Sequence, residues 1–208
     1  MYIKRSLWAF TISIWGATGS MAQEDMAGST DHPDFPRLPG ASIATYHYGE
    51  EGYGSHIEGI DLNITEHYLE GEVTKLLYLL PERQSAVLAT AEYLEIFAEV
   101  GTFEAFYSCS GAVCGREVTR FLQWPSPNNR SPTPVRTPDE RIIPLPDFIL
   151  RYPQRHDNIT YISGEIRTNS DTYTISLYTA ENRIGAGAFG DGQAFVDLQI
   201  VTNGKSVE

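Results

Sequence analysis

Three histidines, His47, His56 and His67, lie in a stretch crowded with carboxylates: Glu50, Glu51, Glu58, Asp61 and Glu66. Imidazole nitrogens and carboxylate oxygens are ligands that zinc accepts, and oxygens alone suit calcium. None of the three histidines forms H-E-x-x-H or another tight ligand pair. A metal or small-ligand site in the stretch 47–67 therefore requires strands that carry these side chains together. On the spacing alone the sequence nominates no metal ligand, no cofactor and no catalytic residue. There is no G-x-S-x-G elbow, and Ser108 and Ser110 have no base beside them in sequence.

Cys109 and Cys114, the only cysteines, enclose four residues in the run FYSCSGAVCG. A redox-active pair is more often spaced C-x-x-C, and zinc would need two further ligands that the neighbouring sequence lacks. The pair reads as a structural disulfide, with Gly111 letting so short a loop turn. Loop-closure entropy gives such a ring about 2 kcal/mol, which makes it a local staple.

Residues 116–155 hold seven arginines against four acids, and 125–153 hold eight of the chain's 12 prolines. Arg116, Arg120, Arg136, Arg141, Arg151 and Arg155 could receive a protein partner or an anionic ligand, because guanidinium forks match carboxylates and phosphates. The alternative is that these arginines neutralise an acidic body beside them. The letters Gly185-Ala186-Gly187-Ala188-Phe189-Gly190 match G-x-G-x-x-G. A dinucleotide site requires a helix to open there, whereas Asp191-Gly192 and a strand follow, so the run reads as a hairpin loop.

What must position these groups is an exported chain. Lys4 and Arg5 precede an apolar run, Leu7 to Ala17, and Ser20-Met21-Ala22 sets small residues before Gln23, the pattern of a signal peptide cleaved after Ala22. The apolar run is shorter than the ~20 residues of a membrane span, so a soluble, periplasmic protein is expected. The chain has 208 residues and a net charge of −12. Removal of 1–22, with its two bases, leaves 186 residues at −14, divided between +3 in 116–155 and −17 elsewhere. Such acidity disfavours nucleic acid as a partner.

Residues 23–40 read as a polar leader and a proline-rich arm, with Pro33, Pro36 and Pro39 at every third position. A single α+β domain is expected over 41–204, with an irregular Pro/Arg-rich segment at 125–153. Ser42–Tyr48 alternates as a strand, which the glycine-rich stretch 49–59 then breaks. Glu72–Leu80 reads as a well-buried strand. Ser85 caps a helix with Val87, Ala91, Leu94 and Ala98 on its apolar face and Gly101 as its stop. Thr102–Ser108 follows as a strand, completing a strand–helix–strand unit. Residues 158–168, 172–179 and 193–202 alternate as an antiparallel meander turning at Asn169-Ser170-Asp171. Together these form one sheet with a helix on a face.

Asp31-His32-Pro33 with Arg37 and Gly40, EGEVTKLLYLLP (70–81), FYSCSGAVCG (106–115) and ISLYTA (175–180) together resemble a family of uncharacterised Gram-negative envelope proteins carrying a domain of unknown function. In some members that domain precedes an OmpA-like peptidoglycan-binding domain, which is not expected within these 208 residues. The resemblance spans about 30–202 and implies periplasmic or outer-membrane-associated residence. It supplies no catalytic residues. The expectation is a non-enzymatic envelope protein that binds a protein or envelope partner. The alternative is a small-ligand or metal-binding protein, or a hydrolase, using the stretch 47–67.

Overall fold

The computed structural model describes residues 24–60, 63–114, 118, 134–136, 142–144, 156–183 and 192–207. The signal segment 1–22, the Gly185–Gly190 run and Arg116, Arg120, Arg141, Arg151 and Arg155 lie outside the described residues, while Arg136 falls in a short strand.

The elements in chain order are β1 (Ser42–Ile60), β2 (Asn63–Leu79), α1 (Ala86–Val100), β3 (Thr102–Ser110), β4 (Pro134–Arg136), β5 (Ile142–Pro144), β6 (His156–Arg167), β7 (Thr172–Asn182) and β8 (Ala194–Ser206). Six strands form one sheet in the order β1-β2-β8-β7-β6-β3, with every neighbouring pair antiparallel. β4 and β5 pair with each other. The described residues are therefore α+β, mostly strand, with one α-helix packed on a face of the sheet.

β6, β7 and β8 are the alternating C-terminal segments, and Thr168 closes the first turn: its Oγ1 accepts from the N–H of Asp171 at 2.9 Å. β2, α1 and β3 follow one another, but β2 and β3 do not pair; β8, β7 and β6 lie between them. The helix thus crosses the sheet rather than linking two neighbours.

Both sheet faces are covered, which explains the near-continuous apolar run in β2. On one face Leu76, Tyr78, Ile166, Ile175, Val196 and Leu198 pack against α1 and the N-terminal arm, whose Phe35 and Leu38 are buried. On the other, Leu77, Leu79, Tyr161, Tyr178 and Phe195 pack with Cys109, Cys114 and Ile57.

Ser85 caps α1 as expected, its side chain accepting from the Leu88 N–H, and Gly101 ends it. The buried face differs from the expected one. Ala86, Ala89, Thr90, Tyr93 and Phe97 point inward, while Val87 and Leu88 are exposed. The stripe sits one residue, about 100°, from the one expected. Two apolar stripes compete on this helix, and the one bearing the large Tyr93 and Phe97 rings wins because it buries more area.

The stretch 49–59 does not break β1, which runs on to Ile60 with irregularities at Ile43/Thr45 and Gly49/Gly52. β1 curls across the sheet face opposite α1 and touches β3, β6 and β7 as well as β8. Gly54 permits the close approach, because a Cβ there would collide with the Val201 side chain. These glycines mark bends and close contacts within a strand.

Candidate functional site

The β1–β2 hairpin decides which of the candidate histidines meet. Its register sets His56 directly opposite His67, whereas His47 faces Lys75. Nine residues separate His47 from His56 along β1, about 30 Å at ~3.3 Å per residue. The His56 and His67 rings stack with centroids 5.4 Å apart. Glu58 lies between them, 2.9 Å from His56 Nε2 and 3.7 Å from His67 Nε2. Among the described residues no group of three or more His, Cys, Asp or Glu side chains is placed to hold a metal ion.

His56 is buried, against Phe106 of β3 with ring centroids 5.2 Å apart. Burial holds its pKa below the usual imidazole value, opposed by the hydrogen bond to Glu58 and assisted by His67. A histidine whose folded pKa is depressed stabilises the fold fully above the unfolded value of about 6.5 and less as pH falls below it. Amides of 54–60 and 63–69 should therefore lose hydrogen-exchange protection, relative to β6–β8, between pH 7 and pH 5. His56→Gln should flatten that difference. A protection ratio constant across the range would contradict this account of the hairpin.

The hairpin is held down by a row of uncharged polar side chains from the sheet. Gln199 Nε2 and Ser176 Oγ both donate to the Ser55 carbonyl. The Tyr161 hydroxyl accepts from the Ile57 N–H at 3.2 Å, and Ser163 Oγ donates to the Ile57 carbonyl. An edge strand laid on an apolar face would leave these backbone groups unpaired at about 1–3 kcal/mol each. The polar row supplies their partners.

In the same layer Lys75 of β2 and Asp197 of β8 are both buried and lie two register positions apart, on one face of the sheet. Burial lowers the lysine to about 8 and raises the aspartate to about 7, while each opposes the other's shift by mutual attraction. Tyr178, directly opposite Asp197, bonds to His156 Nδ1 at 2.7 Å. Sequence reasoning passed over Lys75 and Asp197. The available signal was a lone lysine within EVTKLLYLL and a lone aspartate within QAFVDLQIVT, each on the inward alternation. A shallow cleft of about 170 Å³ also lies between Asp157, Glu181, Asn182, Arg183 and Gly192. Among its described lining residues, Arg183 is engaged by Asp157 at 2.7 Å.

Cys109 and Cys114 form a disulfide with Cα atoms 5.0 Å apart. Cys109 pairs with Tyr161 and Ser110 with Thr160, so β3 and β6 are hydrogen-bonded neighbours at the place where the chain leaves for residues 115–155 and returns. The whole Pro/Arg-rich segment is an insertion between two adjacent strand ends, with the disulfide at its base. Both half-cystines and Val118 are buried against the sheet. Reducing the bridge is expected to cost about 2 kcal/mol, a fall of about 4–8 °C in Tm, with the β-sheet circular dichroism retained. Loss of the sheet signal on reduction would show instead that the bridge holds the fold.

Among the described residues no helix is long and apolar enough to cross a membrane. No protein-family profile matches the chain, and no curated protein is detectably similar to it.

Proposed function

We propose that this is a non-enzymatic envelope protein that engages a protein or envelope partner through the Pro/Arg-rich segment 116–155. The observation that carries the reading is the register Ser110↔Thr160. A segment of net +3 is spliced into a strongly acidic body at one point of the sheet, with its base secured by Cys109–Cys114. Arginine and proline are the residues that bind carboxylate- and aromatic-lined surfaces.

Export to the periplasm, with the signal peptide cleaved after Ala22, is part of the same proposal. The disulfide supports it, since such bridges persist in oxidising compartments. So does the resemblance to the Gram-negative envelope family. A ligand or metal role for the stretch 47–67 is less well supported, because only His56 and His67 meet and His47 lies far along the strand.

Replacing 126–146 with a short Gly/Ser linker tests the reading. Partner co-purification from envelope extracts should be lost, while Tm stays within about 3 °C because the six-stranded sheet is untouched. Undiminished co-purification from a folded deletion variant would sink the proposal.

A further inference from the structure

We infer that the face of the β1–β2 hairpin beyond α1 is a docking surface for the chain's own proline- and arginine-rich segment, residues 116–155 of the same copy. Tyr48, Tyr53 and Tyr68 on this hairpin are 45%, 51% and 40% exposed, among the largest exposed apolar side chains of the described residues. The register places them with carboxylates. Tyr53 is directly opposite Glu70, and the Tyr68 hydroxyl donates to Glu66 at 2.8 Å. Tyr48 lies close enough to Glu72 and Glu50 for both charges to act on its phenol. Against these acids stands Lys205 of β8, opposite Glu70.

Exposed aromatic rings beside carboxylates are the chemistry that takes up a Pro/Arg-rich strand. Proline rings and guanidinium planes lie flat on tyrosine, carboxylates accept from the guanidinium fork, and a proline-rich chain is already extended. The chain carries the complement itself. Every base in 116–155 is arginine, seven of them, and no lysine occurs there. Arginine, unlike lysine, both stacks and bonds bidentately.

Reach and concentration favour the same copy. The 37 residues 119–155, between buried Val118 and β6, allow a reach of about 60 Å at ~3.3 Å per residue, whereas a domain of this size is about 40 Å across. Tethering also gives an effective concentration on the order of millimolar, which a second copy does not match in dilute solution. The occupant of the acidic hairpin face is thus the segment of the same copy. This inference does not depend on the partner reading, and the two fail separately: co-purification tests one, and contact within the chain tests the other.

The test places a photo-crosslinking residue at Tyr53, at Tyr68 or, as a control, at Val87 on α1 in the intact protein, and maps adducts by mass spectrometry. Adducts from positions 53 and 68 should fall within 116–155 of the same chain. Their yield should fall several-fold in 0.5 M NaCl and in the Glu66→Gln/Glu70→Gln/Glu72→Gln variant. Adducts confined to the hairpin, equal capture of the segment from position 87, or capture only as covalent dimers would each overturn the inference.

Discussion

Lys75→Met should destabilise the protein by about 3–5 kcal/mol at pH 8, and Lys75→Met/Asp197→Leu should recover most of that loss. The lysine and the aspartate are both buried on the sheet face that carries Leu77. Removing the lysine leaves Asp197 a buried carboxylate without the positive charge that favours its ionised form. Removing both leaves a site of similar volume with nothing to solvate. The pH dependence follows from the directions of the shifts. Burial raises Asp197 from 3.8 to about 7, so the folded state holds a proton there that the unfolded state has released. Between those values stability falls as pH rises. Burial lowers Lys75 from 10.5 to about 8, so above 8 the folded state has lost a proton that the unfolded state keeps, and stability rises with pH. The deficit of Lys75→Met should accordingly shrink as pH is lowered from 8 to 5, where Asp197 is readily protonated. Denaturant melts of the two single variants and the double variant measure this. A double variant no more stable than its parents would show that the pair is not coupled.

Phe35→Ala carries a similar cost, about 3–5 kcal/mol. Phe35 is fully buried, edge-on to Phe97 of α1 and Tyr173 of β7 at 5.8 and 5.1 Å between centroids. The arm that carries it is secured by Arg37, which bonds to Asp25 and Asp31, and by Tyr78 and Tyr173, which donate to Asp31 and Asp34. Loss of the ring opens a cavity between helix, sheet and arm that these hydrogen bonds prevent from collapsing. Thermal melts of Phe35→Ala should fall by about 6–20 °C. A shift of less than about 3 °C would mean that the arm is only laid on the domain.

Strand positions in the C-terminal half were legible because period-2 alternation survives wherever one strand face meets each core. The Ser85 cap and the Gly101 stop were legible because they act within a single helical turn. The helix face was not, since Val87, Ala91, Leu94 and Ala98 make as regular a stripe as Ala86, Ala89, Tyr93 and Phe97. The choice between them is made by what packs opposite. The glycines of 49–59 misled for a related reason: a close strand crossing and a chain break call for the same residue, and only the position of Val201 tells them apart. The His56–His67 contact depends on a register set by two bulges, which residue types alone do not encode.

The most direct test of the account is photo-crosslinking in intact envelopes from position Ile149, within the Pro/Arg-rich segment but outside 126–146. A recurrent adduct with one envelope component, lost when 126–146 is deleted from a protein that still folds, is the expected result. Adducts unchanged by the deletion would contradict the claim that this segment is what the protein uses to bind.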